Sequence, residues 1–447
     1  MNKFSLLIVC LLLTSYGFSQ ENSKSFSLQQ AIDFALENNR TAKNALLDID
    51  AAKKQKWETT AIGLPQVDAS INYNNWLKQQ VSLIPAEFFG GNAGEYAEVV
   101  FSTKQSMDAT VTLKQLLFDG SYLVGLQSAK VFLEISKNAK EKTDLEIRKA
   151  VINAYGNVLL AEESVKILEK NKAVLQKNLN ETTKIYENGL EEEESVEQLQ
   201  ITLSGVESNL NNTLRLKTLA YQMLNITIGL DLNTNTTLLD DLKNLTNQNI
   251  SLELLNYGEN VENTIDYKIA FNDKTTKELL LKLEKSKALP TLNTFINGGY
   301  AGYSEDFSFA KSNQQWFGSS LFGVSLNIPL FSSGMRSSAM QRAKINLEKS
   351  NNDLTETEQQ LLLQIESAKS NYQFAIEDYQ NKKKNLNLAE RIEKKNQIKF
   401  FEGISTSFEL RQAQIQLYAA QQEFLQTMLD VINEKAALET ILNTPNN

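Results

Sequence analysis

The chain has 447 residues, a net charge of −9, a single Cys and no His. Without imidazole there is no Ser-His-Asp triad, no His base and no His metal ligand, and the acidic balance argues against a nucleic-acid partner. No Walker pattern or strand-to-helix GxGxxG offers a phosphate loop, no nucleophile–base pair is identifiable, and only 5 Pro and 19 Gly interrupt the chain. The composition therefore predicts long unbroken elements, no enzyme, no cofactor and no metal.

Residues 1–20 read as a secretory signal. Lys3 precedes an apolar core from Phe4 to Leu13, and Ser15 to Gln20 supplies small and polar residues near a cut. About ten apolar residues are too few to span a bilayer. Cys10 follows Ile8-Val9 inside that core, which does not fit a lipoprotein signal, so no lipid anchor is expected. Removal of Lys3 takes the net charge from −9 to −10. No later stretch is long and apolar enough for a transmembrane helix.

Ser27 and Gln30 form a capping-box pattern, and one helix is predicted from there to about Ile62, broken by Gly63-Leu64-Pro65. A strand follows, with Val67, Ala69, Ile71 and Tyr73 on one face and Asp68, Ser70, Asn72 and Asn74 on the other. A loop from about Leu77 to Ser106 contains Phe88-Phe89-Gly90-Gly91. A second strand alternates Met107, Ala109, Val111 and Leu113 with Asp108, Thr110, Thr112 and Lys114.

From Ser121 to about Asn188 there is no Pro, and Leu145, Val151, Ala154, Val158, Val165 and Leu175 lie on a narrow 3/4 stripe shared with Arg148, Lys172 and Thr182. Such a stripe suits a coiled-coil seam. About 68 residues make a rod of ~100 Å, too long for a compact core. Asn188-Gly189-Leu190 ends the rod, and Glu191 to Glu194 begin a helix that runs to about Ile228. The polar stretch after it reads as a small irregular element.

The plan then repeats. A helix from about Val261 to Lys287 ends at Ala288-Leu289-Pro290. One strand places Leu292, Thr294, Ile296 and Tyr300 on one face. After a loop spanning Ala301 to Ser319, another sets Phe322, Val324, Leu326 and Ile328 against Gly323, Ser325 and Asn327. A second rod runs from Met335 to about Phe401, Gly403 ends it, and a last helix reaches about Leu442. Corresponding residues are 214 apart: Gly120 and Gly334, Gln127 and Gln341, Lys130 and Lys344. The domains expected are a signal (1–20), a first repeat (21–230), an irregular equatorial segment (231–257) and a second repeat (258–447).

The strands alternate apolar with polar residues and are bounded by aromatics such as Tyr73, Trp76, Tyr300 and Trp316. This is the pattern of an outer-membrane barrel, although each strand alone also fits a half-buried soluble sheet. Four strands cannot close a membrane barrel, whose smallest form has about eight, so the barrel must be shared among subunits. Two chains would supply eight strands and three would supply twelve. The polar face (Asp68, Asn72, Thr110, Lys114, Asn327) suits a wet lumen. Gly120 and Gly334 join strands to rods, while Pro65 and Pro290 join shorter helices to strands.

These joints, Phe118-Asp119-Gly120 and Phe331-Ser332-Ser333-Gly334, come with the tips Tyr186-Glu187-Asn188-Gly189-Leu190 and Phe400-Phe401-Glu402-Gly403-Ile404. Gln200-Ile201-Thr202-Leu203 also matches Gln414-Ile415-Gln416-Leu417. In this duplicated order the chain resembles the TolC family of outer-membrane efflux proteins over essentially its whole mature length. The resemblance implies a mainly α fold with a small membrane β part: a homotrimer with a twelve-stranded barrel in outer-membrane lipid and a periplasmic α-barrel tunnel of coiled-coil hairpins. It also implies a periplasmic adaptor protein docked on the tips and an inner-membrane pump, the chain itself being a passive duct.

On that resemblance Gly189, Leu190, Gly403 and Ile404 lie at the closed periplasmic end, with Leu190 and Ile404 toward the adaptor. A simple helix-hairpin turn would leave the same residues exposed. The family usually carries an acidic residue six positions after the tip Gly; Glu409 fits, whereas Gly189 is followed by Ser195, with Glu191 to Glu194 close by. A carboxylate gate and a solvated helix start are both open readings. So are small-molecule efflux, type I protein secretion, and a coiled-coil structural protein of the periplasm or cell surface without channel activity.

Overall fold

The computed structural model describes residues 24–256 and 260–444, so the expected signal and Cys10 lie outside the described residues. The chain divides into two compact units, Met1–Ile49, Ser136–Ala270 and Leu354–Asn447 in one, and Asp50–Ile135 and Phe271–Asp353 in the other.

The first unit begins at strand β1 (Lys24–Phe26). Ser27 and Gln30 form the expected capping box and start α1 (Leu28–Asn38). The single helix expected to Ile62 is in fact two, α1 and α2 (Arg40–Ala61). The break is at Asn39, whose backbone is extended at ψ 136. Its side-chain oxygen accepts from Thr41 N (2.7 Å) and its amide donates to Thr227 O (2.7 Å), so one Asn recaps the next helix and ties it across the fold. In the sequence the break coincides with the polar run Glu37-Asn38-Asn39-Arg40-Thr41, which interrupts the apolar stripe between Ala35 and Ala42.

Two long helices, α3 (Gly120–Glu187) and α7 (Met335–Phe401), contribute residues to both units. Of the expected seam, Leu145, Val151, Ala154, Val158, Val165, Leu175 and Thr182 are buried within one chain. Lys172 stays half-exposed and pairs with Glu207 at 3.0 Å. They are followed by α4 (Glu193–Ile228) and α8 (Ser407–Leu442). Ile32, Tyr155, Leu224, Ile228, Ile365, Tyr372, Tyr379 and Ile432 belong to one core cluster in the first unit.

Within the stretch expected to be irregular, two short regular elements form. Strand β6 (Thr236–Leu238) pairs in parallel with β1, and helix α5 (Leu242–Gln248) is capped by Asp241. A three-residue strand has no readable period, and a seven-residue helix is too short to stand alone. Tertiary contacts make both: α5 buries Leu242, Leu245 and Thr246, and Thr246 Oγ1 donates to Met428 O (3.3 Å). Asp240 Oδ2 accepts from Leu28 N (2.7 Å) and from the buried Tyr155 hydroxyl (2.8 Å), which also faces Phe26 O (3.0 Å).

Burial raises the pKa of Tyr155, Tyr372 and Tyr379, and at Tyr155 the Asp240 carboxylate adds to it. The fold thus favours the neutral phenols, whereas unfolded tyrosines ionise near pH ~10. Their contribution is fully present below that pH and is lost as pH rises above it. Thermal midpoints are expected to hold to about pH 9 and fall toward pH 11, together with phenolate absorbance appearing on unfolding. A flat midpoint over this range would contradict the account.

In the second unit, helix α6 (Ile265–Ser286) ends before a four-stranded antiparallel sheet. Its strands are β2 (Gln66–Asn75), β5 (Gln105–Asp119), β7 (Thr291–Ser304) and β8 (Trp316–Asn327), in the order β2-β5-β7-β8. Three of them outrun expectation: β5 continues through a bulge between Leu116 and Phe118, β7 extends to Ser304, and β8 begins at Trp316. The loop after β2 is itself built, with a hairpin of β3 (Ser82–Pro85) and β4 (Tyr96–Val99).

Candidate channel-forming sheet and helical tips

Opposite residues in an antiparallel pair share a face, so the register sorts the sheet. One row runs Tyr73, Met107, Gly302, Trp316; the next apolar-face row runs Ile71, Ala109, Tyr300, Gly318. Val67, Leu113, Ile296 and Phe322 continue that face, and Val67, Ile71, Ile296 and Phe322 are each more than half exposed. An open apolar sheet face of this breadth is unsuited to water.

The register places all five candidate lumen residues, Asp68, Asn72, Thr110, Lys114 and Asn327, on the opposite face. Asn72 Nδ2 donates to Asp108 Oδ2 (2.9 Å), Ser70 and Thr110 hydroxyls meet at 2.8 Å, and Asn297 Nδ2 donates to Thr112 Oγ1 (2.9 Å). Lys114 lies 3.7 Å from Asp68, both largely exposed, so this pair adds at most ~1 kcal/mol. Asn297 was not singled out from sequence, although its alternation with Ile296 carried the signal. Toward β8 the face is less polar than on β2 and β5: Phe295 and Leu321 share it. The Phe295 ring fills the space over Gly323, where a Cβ would come within 2.4 Å of it.

The two glycine joints turn out to be physically different. At Gly120 the strand runs directly into α3, with Asp119 Oδ1 accepting from Ser121 N (2.6 Å) and Tyr122 N (3.3 Å). A Cβ there would sit 2.7 Å from Leu289 and 3.2 Å from Ser286. At Gly334 the space is open, but φ is +81 and Ser333 before it is also left-handed. Glycine answers a close approach at the first joint and a backbone conformation at the second. Pro65 and Pro290 each stand directly before a strand, β2 and β7.

The tips share one geometry. Gly189 N donates to Tyr186 O (2.7 Å) and Leu190 N to Ile185 O (3.1 Å); Gly403 N donates to Phe400 O (3.0 Å) and Ile404 N to Lys399 O (2.8 Å). With φ of +73 and +70 at the glycines, both are Schellman ends. Leu190 and Ile404 are 78% and 71% exposed. Glu194 accepts from Gln198 Nε2 (2.7 Å). Glu409 closes a capping box with Thr406, accepting from Thr406 N (3.3 Å) and Ser405 Oγ. These bonds hold its carboxyl below the usual range.

The profile of the outer membrane efflux proteins matches residues 31–230 and 280–444, both repeats and most of the chain. The chain belongs to the outer membrane efflux protein family. Solved structures agree on the fold of this efflux protein. It superposes on the transmembrane channel former CusC with a TM-score of 0.74 at 17% identity, over 96% of this chain and 95% of that one. VceC, an outer membrane protein of Vibrio cholerae, gives 0.70 at 16% over 93% and 95%. The outer membrane channel MtrE of Neisseria gonorrhoeae, in its open state, gives 0.70 at 17% over 93% and 88%. No curated protein sequence matches the chain significantly. Among the described residues of this efflux protein no helix is long and apolar enough to cross a membrane. The fold is mainly α, with two repeats and a small β part.

Proposed function

We propose that this efflux protein is the outer-membrane duct of a tripartite efflux or type I secretion system, exporting small molecules passively. The observation that carries this reading is the open sheet: β2 and β8 are both edge strands, and one face is apolar and exposed. An unpaired edge is not tolerated in lipid, and three chains pairing β2 to β8 give a closed ring of about twelve strands, wide enough for a wet lumen. On this reading residues 1–20 direct export, and the long helices of repeats 21–230 and 258–447 line a periplasmic tunnel. Leu190 and Ile404 meet a periplasmic adaptor, and an inner-membrane pump supplies the energy. The detergent-extracted particle should have three times the chain mass. A monomer would overturn the proposal.

The gate reading of Glu409 has its own test, shaped by the capping box. Glu409→Ala would remove the capping-box partner of Thr406 as well as the charge. Gln at that position keeps the box. Glu409→Gln should therefore lower the melting temperature less than Glu409→Ala does, and lower cation selectivity in planar bilayers. Unchanged selectivity would reduce Glu409 to a helix cap.

A further inference from the structure

The loop between β2 and β5 is an ordered, apolar and unpartnered structure. Trp76 N donates to Lys104 O (2.9 Å), one backbone bond beyond the β2–β5 ladder, and the Gln79 side chain donates through Nε2 to Ser102 O (2.6 Å). Beyond these, β3 pairs with β4, a 3-10 turn covers Ala86–Phe89, and Ala86 N donates to Glu95 O (2.8 Å). Yet Leu77, Leu83, Phe88, Phe89, Tyr96 and Phe101 are all more than 60% exposed. A two-stranded hairpin is marginal in water by itself, and this one buries almost none of its apolar side chains.

We propose that this hairpin (residues 76–104) is a clasp that docks on the 303–317 loop of the next copy of the chain. The inference rests on the shared-barrel reading above and goes beyond it by assigning a contact outside the strands. β2 is an edge of the sheet, and the other free edge is β8. Closing the ring antiparallel sets the start of one copy's β8 beside the end of its neighbour's β2. The hairpin therefore emerges next to whatever precedes β8 in the neighbour. That segment is aromatic: Phe307 and Phe309 pack on each other and on Tyr73, Phe309 also meets Trp316, Phe317 meets Tyr303, and Phe307 and Phe317 still remain more than half exposed. Beside the hairpin, Trp76, Phe101 and Tyr303 together with Ser102, Thr103 and Ser106 line a hollow of about 310 Å³. A membrane interior is the poorer occupant, since the hairpin carries the charged Glu87, Glu95 and Glu98 among its apolar residues.

Two readouts on the full chain test this. The Leu83→Ser/Phe88→Ser/Phe89→Ser variant should still assemble, because the strand edges are intact, but its oligomer should dissociate roughly 5 °C or more below wild type on a heating series. A Phe88→Cys variant should react with a maleimide about tenfold more slowly in the detergent-solubilised oligomer than after heat dissociation, with wild type as the background control. An intact oligomer with equal labelling rates and an unchanged dissociation temperature overturns the clasp alone. Protection that appears in outer-membrane vesicles but not in the detergent oligomer assigns lipid as the occupant and also overturns it. A monomeric wild type overturns the shared barrel and the clasp together.

Discussion

Gly229→Ala is expected to destabilise the protein by roughly 2–5 kcal/mol, the sum of a left-handed backbone penalty and an overpacking penalty. Gly229 ends α4 with φ +89, with its N–H donating to Ile226 O (3.1 Å) and Leu230 N donating to Asn225 O (2.7 Å). A Cβ there would lie 2.4 Å from Asn38 O and 2.6 Å from Asn38 C. Those are backbone atoms, held in place because Asn39 is bonded to both α2 and Thr227. The chain supplies its own control. Gly189 has φ +73 with open space around it, so Gly189→Ala should cost only about 1 kcal/mol. Asn443 stands 214 positions after Gly229 and ends α8 in the same left-handed conformation without glycine. Gly189→Asn should be close to neutral, whereas Gly229→Asn should fail as Ala does. Chemical unfolding midpoints of the four variants would check this; equal costs at 189 and 229 would refute the steric account.

The second large effect is expected at the sheet. Ile71 lies within the apolar face and is 72% exposed in the single chain. If that face meets lipid, Ile71→Arg should cost ~2–4 kcal/mol per chain, repeated in every copy of the ring, and abolish outer-membrane assembly. Asn72→Arg, one residue on and on the opposite face, should assemble normally and alter conductance. Heat-modifiable oligomer in outer-membrane fractions is the readout. Equal tolerance of both substitutions would favour a sheet in water.

Much of this was legible beforehand for a physical reason. Long helices and alternating strands write their periods directly into the chain, so the rods, the four strands of the main sheet and the tip glycines appear at or near their expected places. The shared polar face of Asp68, Asn72, Thr110, Lys114 and Asn327 was legible too, because a two-residue period assigns each side chain to a face and the register only had to agree. The Asn39 break, the β1–β6 pair and α5 were not legible. The last two are created by partners distant in sequence, Asn235 and Met428, which no local pattern reports, whereas the Asn39 break combines a local cap on Thr41 N with the distant Thr227.

The joints draw the same line. The 214-residue repeat by itself determined that Gly120 and Gly334 correspond and that each stands between a strand and a rod. Only the tertiary structure decided why glycine is needed at each: Leu289 and Ser286 crowd Gly120, whereas Gly334 is uncrowded and left-handed. Steric approach depends on residues brought together by folding, so equivalent positions in two repeats can keep the same residue for different reasons.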